Sequence, residues 1–175
     1  MRNEIRIGGS GGMGVVLAGV ILGHAAVVHA GLNAVQSQSY GPEARGTAAK
    51  SEVIISDEPI RFPKVRDSDY LIAMNQDAFN KYLERARDGS TVIVDPDLVT
   101  VGKDQKEYDF IPVPAMATAD GLGLRLVSNM VMLGALTAKA GMFSIQAVEK
   151  AIADIVPSKF QELDIKAVRA GSELV

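Results

Sequence analysis

The chain has 175 residues, which suggests a single domain spanning residues 1–175. Hydrophobic residues make up 47% and charged residues 22%, which excludes a disordered chain, and the formal net charge of -3 argues against a nucleic-acid binder. The absence of cysteine excludes disulfides, thiolate zinc sites and a cysteine-bound iron–sulfur cluster in this chain, and two histidines leave little for a histidine metal site.

The first third of the chain has the pattern of a βαβ unit. Residues 5–7 form a short predicted strand that leads into a glycine-rich loop over residues 8–14. An apolar helix is predicted for residues 12–30 and a second strand for residues 32–37. Residues 40–47 then read as a loop because they contain glycine and proline.

Further strands and helices follow to the end of the chain. Short apolar or β-branched runs predict four more strands, at residues 51–56, 70–74, 91–94 and 110–114. Helical spacing predicts helices at residues 75–86, from 118 or 120 to 140, at 144–156 and at 159–170. This alternation predicts an α/β fold: a three-layer, Rossmann-like domain with a mostly parallel sheet and helices on both faces.

The helix predicted for residues 12–30 is long enough by count to span a bilayer. It carries His24 and His29 and starts from a glycine loop, so we expect a buried helix of a soluble protein instead. The N-terminus meets glycine too early for a signal peptide, and there is no cysteine to protect. A cytoplasmic location without membrane attachment is therefore expected.

The glycine loop matches the pattern Gly9-x-Gly11-x-x-Gly14. Such a loop can turn tightly, let backbone approach a ligand and leave the helix N-terminal amides free for an anion. A dinucleotide site also needs an acidic residue about 20 positions later, and residues 34–39 contain none. Three interpretations stay open: a nucleotide site, close helix–sheet packing, or an anion or partner-contact loop.

A second polar segment, residues 36–46, is expected to face the glycine loop across the carboxyl edge of the sheet. Arg45 could clamp a phosphate or carboxylate, Glu43 could pair with Arg45 or reach a partner, and Tyr40 could pack or stack. Asn75 is most simply a helix N-cap and Asp95 a turn former. We expect no catalytic residues and no metal site in this chain.

These segments together resemble the gamma subunits of 2-oxoacid:ferredoxin oxidoreductases. Residues 8–22 are similar to the family's opening motif, and residues 36–46 to its second signature, with further landmarks at 51–56, 73–76 and 129–135. The Ser-Tyr-Gly-Pro-Glu-Ala-Arg-Gly form resembles the 2-oxoglutarate branch. Met13 stands where the family usually has Gln, and Thr47 where a further Gly is common. Met13 removes a polar side chain from the loop and leaves backbone contact unaffected.

The resemblance implies a subunit that is inactive alone. In the family, a 2-oxoacid is decarboxylated on thiamine diphosphate with Mg²⁺, electrons pass through iron–sulfur clusters to ferredoxin, and the acyl group goes to coenzyme A. The implied partners are alpha, beta and ferredoxin-like delta subunits, which carry these cofactors; this chain alone would hold none. The residues implied to contact coenzyme A or a partner are Gly9, Gly11, Gly12, Gly14, Ser37, Tyr40, Glu43 and Arg45.

Alternatives to this hypothesis concern both substrate and class of function. The substrate could be pyruvate or a branched-chain 2-oxoacid, since substrate selection should lie with the catalytic subunits. The chain could instead be a free-standing nucleotide-dependent oxidoreductase or a structural scaffold. An apolar surface built for absent partners also predicts a homodimer of the isolated chain.

Overall fold

A computed structural model of the protein describes residues 1–40, 48–102 and 107–175. Six strands form one sheet in the order β2-β3-β1-β4-β5-β6. The strands, in chain order, are β1 (Arg2–Ser10), β2 (Asn33–Tyr40), β3 (Ala48–Ser56), β4 (Ser68–Ala73), β5 (Ala86–Val94) and β6 (Asp109–Pro112). Each contains part of a segment that the sequence predicted to be a strand.

The sheet is mostly parallel, as predicted, with one inserted antiparallel strand. β1 pairs in parallel with β4, β4 with β5, and β5 with β6. β3 lies between β1 and β2 and pairs antiparallel with both. β1 and β2 therefore point the same way, as a βαβ unit requires, but they are not neighbours. Strand order is a long-range property that the local pattern could not predict.

Helices cover both faces of the sheet. The elements are α1 (Val15–His24), a π-helix (Ala25–His29), α2 (Gln76–Tyr82), a 3-10 turn (Leu83–Arg85), α3 (Ala115–Gly121), a 3-10 turn (Arg125–Val127), α4 (Ser128–Ala140), α5 (Ile145–Ile155) and α6 (Ser158–Ser172). α1, α3, α4, α5 and α6 share a core with one face of the sheet, and α2 packs on the other. Alternating side chains of β4 explain the division, since Ile72 faces the first core and Leu71 the second.

The prediction of one helix from residue 118 or 120 to residue 140 is wrong. α3 ends at Gly121, and α4 begins only at Ser128. Gly123 has a positive φ of 102°, and Leu124 is extended, so the helical hydrogen-bond ladder cannot run through them. The apolar spacing of this segment continues across the break, which is why periodicity alone misses it.

α4 and α6 cross at very short range. A Cβ on Gly134 of α4 would overlap the carbonyl oxygen of Val168, and a Cβ on Gly171 of α6 would overlap that of Val131. Two glycines thus let the helix backbones touch. Across the described residues, no helix combines the length and apolar character needed to cross a bilayer.

Candidate functional site

Two glycines of the predicted glycine loop, Gly9 near the end of β1 and Gly14 before α1, are needed for packing. A Cβ on Gly9 would lie 2.9 Å from Cγ2 of Val15, closer than real side chains approach. Gly14 has a φ of 72°, and a Cβ there would overlap the side-chain amide of Asn129. That amide donates a 3.1 Å hydrogen bond to the Gly14 carbonyl oxygen and ties the loop to α4. The packing interpretation therefore holds for Gly9 and Gly14.

Gly11 and Gly12 face open space instead. A Cβ on either residue would meet no atom of the described structure within 4 Å. Position 12 favours glycine because its φ is 87°, whereas the φ of Gly11 is not positive. Packing therefore does not account for Gly11, and this part of the loop can accept a ligand or a partner at close range.

Met13 turns back into the loop instead of projecting outward. Its sulfur accepts a 3.4 Å hydrogen bond from the Ser10 amide and lies 3.8 Å from Nδ2 of Asn75. The Met13 amide in turn donates to the Ser10 carbonyl oxygen at 3.2 Å. The outward surface of the loop is consequently made of backbone, which fits contact through peptide groups.

A cleft of about 320 Å³ opens beside the glycine loop. We call it the loop cleft; it is bounded by residues 10–12 and 14, the first turn of α1, Tyr40 and Ala49. No described side chain caps the N-terminus of α1, and the first hydrogen bond of the helix runs from Ala18 to Gly14. Among the described residues, none accepts a hydrogen bond from the amides of residues 15–17, and the helix dipole favours an anion at this position.

The predicted site residues divide into three groups. Tyr40 ends β2 at the rim of the loop cleft and is 62% exposed, so it is not a packing residue. Ser37 does not line the cleft, because it pairs across strands with Glu52, whose side chain lies on the opposite face beside Arg6. Glu43 and Arg45 lie outside the described residues.

The sheet order disfavours the dinucleotide interpretation of the loop. In a Rossmann site, the strand beside β1 runs parallel to it and ends in the acidic residue that holds the ribose. Here the neighbouring strand on that side is β3, which runs antiparallel, and Ala48 lies opposite Ser10. The end of β2 contributes Tyr40 to the cleft rim in place of an acid.

An apolar cleft of about 320 Å³ lies on the other side of the loop. Its walls include four partly exposed side chains, Leu17, Leu124, Leu126 and Phe160. Asp164 of α6 also lines it, and burial raises the pKa of this carboxyl above its ordinary value. Gly12, Gly14 and Leu17 border both clefts, so the glycine loop separates the apolar cleft from the loop cleft at the N-terminus of α1.

Comparison with known proteins assigns the chain to a protein family. The family model described as pyruvate ferredoxin/flavodoxin oxidoreductase matches residues 4–174. The chain belongs to this family. The 2-oxoglutarate synthase subunit KorC of Methanothermobacter marburgensis is 48% identical over 100% of this chain and 97% of its own. The pyruvate synthase subunit PorC of the same organism is 30% identical over 97% of this chain and 96% of its own.

Solved structures agree with the family assignment. The keto/oxoacid ferredoxin oxidoreductase gamma subunit from Geobacter sulfurreducens superposes with a TM-score of 0.89 at 44% identity, over 99% of this chain and 96% of that one. A 2-oxoglutarate:ferredoxin oxidoreductase from Magnetococcus marinus, with 2-oxoglutarate, coenzyme A and succinyl-CoA bound, gives a TM-score of 0.86 at 23% identity. It matches 99% of this chain and 31% of that one, which shows a shared fold. The predicted resemblance is confirmed.

Asn75 and Asp95, at the carboxyl ends of β4 and β5, have structural roles in this family member. The Asn75 side chain accepts a 2.8 Å hydrogen bond from the Ala78 amide and caps α2. The buried Asp95 carboxylate accepts hydrogen bonds of 2.9 Å from the amides of Asp97 and Met116. It therefore joins the end of β5 to the start of α3, in agreement with the simplest interpretation of both residues.

A basic groove of about 620 Å³ on the α2 face was not predicted. Arg6 lies at its base, only 4% exposed, and its guanidinium donates to Glu52 at 2.7 Å. Tyr82 lies within cation–π range of Arg6. The other cations lining the groove are Lys50, Lys64, Arg66, Lys81 and Arg85. Together with Arg6 they come from four separate segments, so no local motif could reveal that the fold gathers them.

Proposed function

We propose that the chain is the gamma subunit of a 2-oxoglutarate:ferredoxin oxidoreductase. The observation that carries the proposal is the difference between two relatives from one organism: 48% identity to the 2-oxoglutarate synthase subunit and 30% to the pyruvate synthase subunit. Both comparisons span nearly the whole chain, so the difference is not an effect of coverage. In this function the complex decarboxylates 2-oxoglutarate, reduces ferredoxin and transfers the acyl group to coenzyme A.

The redox chemistry belongs to other subunits in this proposal. Cysteine is absent from the chain, so the iron–sulfur clusters need thiolates from elsewhere. Thiamine diphosphate and Mg²⁺ are assigned to the alpha and beta subunits and the clusters to a ferredoxin-like delta subunit. The gamma subunit then binds and orients coenzyme A and helps to enclose it.

Coenzyme A is the ligand that we assign to the loop cleft. Its phosphates match the amides at the N-terminus of α1, which no described side chain caps and which favour negative charge. Gly11 and Gly12 leave room for close approach, and the exposed ring of Tyr40 offers a stacking surface at the rim. These residues supply backbone donors, space and an aromatic surface, and they hold the thioester-forming group without taking part in bond chemistry.

The apolar cleft is the surface that we assign to a catalytic subunit. Leu126 is 67% exposed and Phe160 46%, an arrangement that is costly in water and typical of an interaction site. Because this cleft shares Gly12 and Gly14 with the loop cleft, a subunit docked there would also shield bound coenzyme A from solvent. In isolation the same surface would pair with a second copy of the chain.

Purification from the native cell tests the function. The protein should co-purify with thiamine-containing and cluster-containing subunits. The complex should reduce ferredoxin faster with 2-oxoglutarate than with pyruvate or a branched-chain 2-oxoacid. Preference for another oxoacid would transfer the proposal to that branch of the family. Recovery of the chain without such partners, or with tight NAD(P)H binding, would refute it.

A further inference from the structure

Three potential metal ligands meet on the surface formed by the π-helix and α5, away from the glycine loop. His24 is the last residue of α1, His29 the last of the π-helix, and Asp154 lies on α5. The Nε2 atoms of His24 and His29 lie 2.9 and 2.6 Å from the same oxygen, Oδ2 of Asp154. One ligand atom from each residue lies within 4.8 Å of the other two.

The π-helix is what brings the two histidines together. In an α-helix, residues five apart point about 140° away from each other, because each residue turns the helix by about 100°. In a π-helix, hydrogen bonds join residues five apart, so such residues come close to alignment. The ring centroids of His24 and His29 are 5.8 Å apart as a result. Short π-helical segments are rare and occur frequently at functional sites.

The electrostatics and exposure of the cluster suit a cation. The Nε2 atoms of His24 and His29 converge on the Oδ2 atom of Asp154, which contributes a carboxylate. The three side chains are 30%, 19% and 44% exposed, respectively, so they are reachable from solvent. His24 also lines a surface cleft of about 290 Å³, which gives an ion a path of entry.

We propose that His24, His29 and Asp154 form a binding site for a divalent transition-metal ion, with Zn²⁺ the best match. Two imidazole nitrogens and one carboxylate oxygen, with a further position open to water, are a donor set that zinc uses. Mg²⁺ and Ca²⁺ prefer oxygen ligands throughout and fit less well. Zinc–ligand distances of about 2.0–2.2 Å place tetrahedral ligands about 3.4 Å apart. The Nε2–Oδ2 separations need to widen by less than an ångström to reach this value.

The sequence predicted no metal site because it contains only two histidines. A three-ligand site needs no third histidine when a carboxylate completes it. Asp154 is 125 residues from His29 in sequence, and neither the π-helix nor the packing of α5 against it is visible as a motif. The site is independent of the proposed function, because it involves neither the glycine loop nor the apolar cleft.

Zinc titration of the full-length, tag-free, chelator-treated protein tests the proposal. Calorimetry should give one Zn²⁺ per chain for the wild type. Removing a direct zinc ligand should lower zinc affinity at least as much as removing a residue that hydrogen-bonds to a ligand. Affinity should therefore fall about tenfold or more in His29→Gln and Asp154→Asn. His29→Gln keeps an amide donor for Asp154 and so preserves local packing. Glu162→Gln, an exposed carboxylate on α6, is the matched control and should bind as the wild type does.

Two further readouts separate ligation from loose surface binding. Co²⁺ in the site should show stronger visible absorption than the hydrated ion, and His29→Gln should abolish the difference. Zinc should raise the melting temperature of the wild type and leave that of His29→Gln unchanged. Absent zinc binding, equal affinity in all the variants, or a Co²⁺ spectrum identical to that of the hydrated ion would overturn the proposal.

Discussion

Alanine substitutions in the glycine loop should separate its packing role from its ligand role. Gly14→Ala places a side chain in the left-handed region, at about 1–2 kcal/mol, and displaces the Asn129 amide. Asn129 is 5% exposed, so losing its hydrogen bond leaves a buried polar group unsatisfied, which costs about 1–3 kcal/mol. The total loss in unfolding free energy should be about 2–5 kcal/mol. Gly12→Ala, with a positive φ but no clash, should lose only about 1–2 kcal/mol.

Urea unfolding of the purified chain, followed by circular dichroism, measures these differences. Gly11→Ala has neither a positive φ nor a clash, so it should be neutral or stabilising by up to about 1 kcal/mol. In an Asn129→Ala background, the cost of Gly14→Ala should fall to that of Gly12→Ala, because the clash partner is gone. Equal stability losses for Gly14→Ala and Gly12→Ala in the wild-type background would refute the packing argument.

Three further predictions concern the core, a buried carboxyl and the docking surface. Gly134→Ala drives a side chain into the Val168 backbone and should lower the unfolding free energy by about 3 kcal/mol. Gly121→Ala is the control and should leave it unchanged, because a Cβ there meets no described atom within 4 Å. Similar melting temperatures for the two variants would contradict this. Burial raises the folded-state pKa of Asp164 above its ordinary value. As pH rises from the ordinary carboxyl pKa through the raised value, the wild type should therefore lose unfolding free energy relative to Asp164→Asn. An unfolding free-energy difference between the two proteins that does not change with pH would contradict this. Leu126→Ser should change the unfolding free energy by no more than about 0.5 kcal/mol but prevent co-purification with the catalytic subunits. Intact assembly of this variant would show that the apolar cleft is not part of the interface.

Local sequence signals predicted most of the secondary structure. The strand predictions after residue 50 rest on short apolar or β-branched runs, and each predicted strand contributes to a strand of the sheet. Asn75 and Ser144 cap helices through side-chain hydrogen bonds, and Gly141 ends α4 with a φ of 62°, all as their residue types predict.

The features that the sequence did not predict depend on long-range contacts. β3 enters between β1 and β2 through pairing with both, which no single segment encodes. The basic groove and the histidine cluster join residues that are far apart in the chain. In the candidate site, the pattern identified the glycine loop but not which glycines pack and which face the cleft. That distinction comes from contacts with Val15 and Asn129, which lie outside the pattern Gly9-x-Gly11-x-x-Gly14.

Coenzyme A kinetics of the assembled oxidoreductase test the central claim most directly. Complexes containing wild-type, Gly11→Ala or Lys81→Ala gamma subunit should be compared by ferredoxin reduction, with coenzyme A varied at saturating 2-oxoglutarate and then 2-oxoglutarate varied at saturating coenzyme A. Gly11 lines the loop cleft that we assign to coenzyme A, and an added methyl group there takes up space needed for close approach, so KM for coenzyme A should rise while KM for 2-oxoglutarate stays unchanged. Lys81→Ala, in the basic groove, should leave both values unchanged. An unchanged KM for coenzyme A in Gly11→Ala, with a raised value in Lys81→Ala, would contradict the account and place coenzyme A in the basic groove.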